Sequence, residues 1–292
     1  MKRITLLLAF LFFNTVGYGQ SFYDLNWKLD NGEQINYQLT ITSYEKLPLN
    51  MDSILNTFSR DSESELSEDD LAGLEKLRNY DGKTENRYHT NIRNSNHFEK
   101  VLDVTMIDTD QEPIAYLDDF LDSLGIQRNG ITLRGTLNKS GTIHSFWMNR
   151  AQKNMLSLLF ELPDHQIQKG DTWQLPNVNM TGNSQNFICH EAKKRNQVQL
   201  VDVEYSATDT IAVIAYDIME YVSGEFTAAA LFNKDNDTSH EATSTFTAEA
   251  KFSIAQGKWL EFKGRMEVET KGFMDRSVTQ VYTLAETGNR KE

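Results

Sequence analysis

Chemistry in this chain of 292 residues has to start from the few places where reactive side chains lie close together. The densest is Leu162–Pro176, LPDHQIQKGDTWQLP, which holds two of the four prolines, one of the four tryptophans and the adjacent pair Asp164 and His165. A carboxylate beside an imidazole can orient a general base. Such a base acts only on a group held by a third partner, and the stretch supplies none. Cys189 and His190 are also adjacent, but neighbours on a strand point to opposite faces. With Phe187 and Ile188 beside it, Cys189 is expected to be a small buried hydrophobe. Ser43-Tyr44-Glu45-Lys46 fits S-x-x-K, but no Lys-Thr-Gly element follows, and the chain has no G-x-S-x-G.

Metal chemistry finds no better footing. NKDNDTSHE (233–241) places oxygen donors at alternate positions, as a calcium loop begins. That loop requires glycine at its sixth position and glutamate at its twelfth, and Thr238 and Ser244 stand there. The six histidines, at 89, 97, 144, 165, 190 and 240, form no H-E-x-x-H and no close pair. No catalytic residue, metal or cofactor is assigned. With 42 acidic residues, a hydrolase whose paired carboxylates are brought together only by the fold stays open as an alternative.

The elements around these residues are mostly strands. QINYQLTIT (34–42), VQLVDVEYSA (198–207) and KWLEFKGRMEVE (258–269) alternate apolar and polar residues, the mark of half-buried antiparallel strands. TIAVIAYDIMEYV (210–222) is denser in apolar residues and reads as a central strand covered on both faces over part of its length. Turns at Gly32, Gly141 and Gly257 each join two strand-like segments. Five residues beyond each glycine stand Tyr37, Phe146 and Phe262, a set that could line a space enclosed by the sheet. The alternative is that these side chains simply fill it.

Two helices are expected. One lies at 113–124, with Pro113 in its first turn and Gly125 as its stop. The other, at 150–160, is capped by Asn149 and carries Ala151, Met155, Leu158 and Leu162 in one line. Residues 50–82 read as an acidic helical insertion. The expected fold class is α+β and β-rich: a large curved antiparallel sheet, or partly closed half-barrel, with a few packing helices. In that frame LPDHQIQKGDTWQLP is a connector. Pro163 stops the second helix, Gly170 and Asp171 make a turn, and Trp173 packs under the sheet.

The N-terminus addresses the chain. Lys2 and Arg3 precede an apolar run from Ile4 to Phe13, and Gly17 and Gly19 occupy the small-residue positions of a cleavage site before Gln20. The run is far short of the about 20 residues that cross a bilayer. Residues 1–19 therefore read as a signal peptide and 20–292 as one β-rich domain, periplasmic or extracellular, with no stable membrane anchor. The net charge of −13 repels phosphate backbones and disfavours nucleic acid as a partner. The lone cysteine can form no internal disulfide.

The segment from about Ile131 to Leu284 resembles a family of signal-peptide-bearing bacterial proteins built around a domain of unknown function, common in Bacteroidota. The likeness rests on GTLNKSGTIHSF and on Leu162-Pro163, Ile167 and Gly170-Asp171-Thr172-Trp173. The strand Ala212–Tyr216 and the hairpin around Gly257 complete it. It implies an envelope location and a β-rich fold similar to half-barrel lipid carriers of the periplasm, and it brings no catalytic residues. The best reading is an exported non-enzymatic envelope protein that either binds an apolar or amphiphilic small molecule in a concavity of the sheet or serves a structural role in the envelope. A protein that pairs with partners through a free sheet edge is a further alternative.

Overall fold

The computed structural model describes residues 21–46, 82–109, 130–181, 186–226, 238–272 and 276–288. The expected signal peptide, the expected insertion up to residue 81, the helix expected at 113–124 and most of NKDNDTSHE lie outside these residues. The strands are β1 (Gln34–Lys46), β2 (Lys83–Asn94), β3 (Val101–Asp108), β4 (Ile131–Asn138), β5 (Thr172–Trp173), β6 (Phe187–Tyr205), β7 (Thr210–Phe226), β8 (Ser239–Ser253), β9 (Lys258–Gly272) and β10 (Arg276–Glu286). One helix among the described residues, α1 (Arg150–Phe160), follows β4.

All ten strands form one antiparallel sheet in the order β4-β3-β2-β1-β10-β9-β8-β7-β6-β5. It is two meanders joined where the first and last strands of the chain meet, with Leu39 opposite Leu284 and Ile41 opposite Tyr282. The sheet does not close, since β4 and β5 end it on opposite sides.

Period-two alternation gives the sheet one covered and one open face. On the covered face Ile35, Tyr37 and Leu39 of β1 share a layer with Ile214 and Tyr216 of β7, Phe246 and Phe252 of β8, and Trp259 and Phe262 of β9, all buried. Most of the intervening residues are polar. β7 departs from alternation at Ala212, Val213 and Ile214, which are all buried, so that part of it is covered on both faces.

Three pieces cover the buried face. Helix α1 is the first, started by Asn149, whose side-chain oxygen accepts the Gln152 N–H at 3.0 Å. Its contact is not the single line read from the sequence. Leu156, Ser157, Leu158, Leu159 and Phe160 are all buried, because the last turn is enclosed on every side, while Ala151 is exposed. The helix reaches β4 over Gly135, where a Cβ would stand 2.6 Å from Met148 Sδ and 2.9 Å from Leu156 Cδ2.

The second piece is the segment 21–30, an extended strap and not the strand expected before Gly32. Its backbone bonds Tyr23 to Ile167 at 2.7 and 2.9 Å, Trp27 to Lys139 at 2.9 Å and Lys28 to Gly257 at 3.1 Å. Leu25, Trp27 and Leu29 alternate into the core. The strap thus draws together the turns that carry Gly141 and Gly257. Of the three glycine turns, only Gly257 joins two strands of the sheet. Gly141 leads to an isolated bridge, Leu137 to Ile143.

The third piece is residues 161–181, which contain LPDHQIQKGDTWQLP. Leu162, Pro163, Ile167, Trp173 and Leu175 are buried. Gly170 adopts φ +96°, and its N–H reaches Leu200 O at 2.8 Å. Asp171 closes the turn by accepting the Gln168 N–H at 2.9 Å. The stretch is the helix-to-sheet connector, with Trp173 packed into the core.

Candidate functional site

The three aromatic residues expected to share a cavity do not share one. Tyr37 and Phe262 lie in the core of the covered face, where Phe262 meets Trp259 with ring centroids 6.0 Å apart. The Tyr37 hydroxyl accepts the Trp259 N–H at 3.0 Å, and burial raises its pKa far above the usual tyrosine value. They fill the space instead of bounding an empty one. Phe146 is 83% exposed. No strand continues past the Ile143 bridge to hold it on the inner face. Its neighbour in space is Trp147, 60% exposed and perpendicular to it at 5.3 Å.

The reactive pairs of the sequence are also solvated. His165 Nδ1 and Asp164 Oδ1 lie 2.8 Å apart, both exposed. That hydrogen bond holds Asp164 below the usual carboxylate range. Cys189 is exposed, against the expected burial. It sits on β6 beyond the reach of β5, next to a bulge between Cys189 and Glu191. No group of three or more histidine, cysteine, aspartate or glutamate side chains among the described residues could hold a metal.

Two acids point inward, and neither carries a sequence signal. Glu161, at the end of α1, is buried and accepts hydrogen bonds from Ser157 Oγ, from Asn177 Nδ2 at 3.3 Å and from the Ile143 N–H. Burial outweighs these donors and lifts its pKa. Glu220 of β7 accepts the N–H groups of Met180 at 2.6 Å and Thr181 at 3.0 Å, and pairs with Lys194 at 2.8 Å. Burial alone would raise Glu220, but these partners overcome it and lower the pKa. Glu220 fastens residues 180–181 to the sheet, Glu161 ties the end of α1 to Asn177 and to the loop after β4, and neither lines the groove described next.

A groove opens beside the β4 side of the sheet. It has a volume of about 350 Å³ and is lined by Arg93, Asp103, Val104, Thr105, Arg134, Gly135, Thr136 and Trp147. The register explains the convergence. Arg93 on β2 faces Asp103 on β3, which faces Thr136 on β4, and Thr105 faces Arg134. These side chains therefore form two adjacent cross-strand rows on one face of three strands. Trp147 arrives because the chain after β4 doubles back along the edge. There the His144 N–H bonds Thr136 O at 2.9 Å, and Thr136 Oγ1 meets Ser145 Oγ at 2.5 Å.

The charges in the groove are unequal. Arg93 Nε is 4.0 Å from Asp103 Oδ2, while Arg134 has no ion pair or hydrogen-bond partner among the described residues. The arrangement offers a free guanidinium, a second guanidinium tempered by a carboxylate, and an indole wall. No protein-family model and no curated protein matches the chain.

Proposed function

We propose that the chain is an exported, non-enzymatic envelope protein that binds a small amphiphilic molecule. The observation that carries this reading is the groove between Arg93, Arg134 and Trp147. Its volume falls at the lower end of the range for small-molecule sites, and it combines one aromatic wall with a few polar groups that can fix orientation. The binding place is the groove, since the residues first expected to line a cavity, Tyr37 and Phe262, are packed in the core. The open ten-stranded sheet supports a half-barrel form, because a broad sheet of long strands twists and curls.

Export rests on the basic residues, short apolar run and small residues of 1–19, with removal before Gln20. The resemblance through Leu162-Pro163 and Gly170–Trp173 to secreted Bacteroidota proteins points the same way. The sheet-edge alternative is weakened by β6. Past β5, among the described residues, its outer side carries Glu191, Lys193, Lys194 and Arg195 and a bulge, features that discourage strand addition.

Mass spectrometry of natively extracted full-length protein tests the reading. We expect a mature chain that begins at Gln20 and carries a bound small molecule, with occupancy much reduced in Trp147→Ala. Retention of residues 1–19 overturns export, and a wild-type chain with no bound molecule overturns binding.

A further inference from the structure

Resting on that reading of the groove, we infer that its ligand is an amphiphile with a single carboxylate, seated with the carboxylate on Arg134 and its apolar part along Trp147. The groove's own charge balance leads there. Arg93, Arg134 and Asp103 sum to one positive charge. Asp103 stands on the strand between the two arginines and approaches Arg93, leaving Arg134 as the uncommitted partner. A guanidinium presents a planar fork of donors that matches a carboxylate. A monoanion neutralises the groove, whereas a dianion would add a negative charge beside Asp103.

The setting sharpens the selectivity. A chain of net charge −13 repels anions at long range, so attraction at this place must come from close contact with the two arginines. The apolar half of the ligand is supplied by the other side of the groove. Trp147 is 60% exposed, and Phe146, outside the groove lining, meets it edge to face, apolar surface that a folded chain does not need for its own core. A neutral or cationic amphiphile would meet the same aromatic wall but leave Arg134 unpaired.

Calorimetric titration of the full mature chain with decanoate, decyl phosphate and decanol separates the possibilities. The expected result is decanoate binding at least tenfold tighter than decanol at low salt, with decyl phosphate weaker than decanoate. Arg134→Gln, at an exposed position, should erase the preference for decanoate over decanol, and raising the salt should weaken decanoate alone. Asp103→Asn should bring decyl phosphate up towards decanoate. Equal binding of decanol and decanoate, or unchanged decanoate binding in Arg134→Gln, overturns the inference. If in that case Trp147→Ala removes binding of both, the groove reading survives without its carboxylate. If none of the three probes binds, both the inference and the groove reading fall. Decyl phosphate tighter than decanoate overturns the choice of a single carboxylate.

Discussion

The indole rings of Trp27 and Trp259 meet edge to face with centroids 6.4 Å apart, and each donates its N–H to the end of α1. Trp27 Nε1 reaches Phe160 O at 3.1 Å and Trp259 Nε1 reaches Leu159 O at 2.8 Å. The last carbonyls of a helix have no partner within it, and here they end inside the core. Two residues 232 positions apart, one from the strap and one from β9, supply the missing donors. Trp259→Phe keeps most of the apolar surface but leaves a buried carbonyl unpaired, so it should lower stability by about 1–3 kcal/mol. Trp147→Phe, at the exposed tryptophan, should stay within about 0.5 kcal/mol of wild type. Urea unfolding midpoints of the two variants give the comparison, and equal midpoints would discount the indole caps.

The two inward carboxylates should give opposite pH responses. Glu161 has its folded pKa raised by burial. Its contribution is fully present below the ordinary glutamate value of about 4.3 and is lost as pH rises through the raised value. Glu220 has its folded pKa lowered by Lys194 and the backbone of Thr181 and Met180. Its contribution is present above the ordinary value and lost as pH falls through the lowered one. Relative to wild type, Glu161→Gln should therefore become more favourable from pH 4 to pH 7. Glu220→Gln should cost about 2 kcal/mol near neutrality and less on acidification. Denaturation at several pH values checks this, and parallel slopes for the two variants would contradict it.

Glycines 170 and 257 share a positive φ, +96° and +63°, but differ in their surroundings. A Cβ on Gly170 meets nothing within 4 Å, whereas one on Gly257 would stand 2.4 Å from Lys28 N. Gly170→Ala should show only the backbone penalty, about 1–2 kcal/mol. Gly257→Ala should lose more, because the strap must also move off the β8–β9 turn. Melting temperatures rank the pair, and an equal loss would show that the strap contact contributes nothing.

What the sequence made legible follows from range. β1, β9 and the hairpin at Gly257 were readable because alternation and a glycine turn are local signals. So was the start of α1, because Asn149 caps it within three residues. The connector from Leu162 to Pro176 was also readable, since proline, glycine and tryptophan each act on their neighbours. The strap at 21–30 was not, because its bonds run to Ile167, Lys139 and Gly257 and leave no periodic trace beyond Leu25, Trp27 and Leu29. Phe146 was misplaced by continuing a strand past Gly141 where only one bridge forms. Cys189 was misplaced because burial was inferred from its neighbours, on a strand whose outer side runs beyond β5. Arg93, Asp103 and Arg134 are scattered over more than forty positions and meet only through the register of β2, β3 and β4. Local spacing cannot announce such a groove.

Asn196 of β6 holds residues 161–181 to the sheet as a strand neighbour would. Its side-chain amide donates to Leu175 O at 2.7 Å and its side-chain oxygen accepts the Leu175 N–H at 3.1 Å. Lys194 continues the clamp two residues away by donating to Val178 O at 2.6 Å. Two residues on the other side, Val198 pairs with Trp173 of β5. β5 ends at Trp173, so side chains take over where the backbone ladder stops. Asn196→Ala removes both bonds at Leu175 and should cost about 1–3 kcal/mol. The loss should be local. Amide exchange should quicken at Leu175 and Val178 while β8 and β9 remain protected, since few backbone bonds are left to resist opening there. Asn196→Asp keeps the acceptor for the Leu175 N–H but lacks the donor for its carbonyl, and should fall between wild type and Asn196→Ala. Unchanged exchange at Leu175 in Asn196→Ala would show that burial of Trp173 and Leu175 alone anchors the connector.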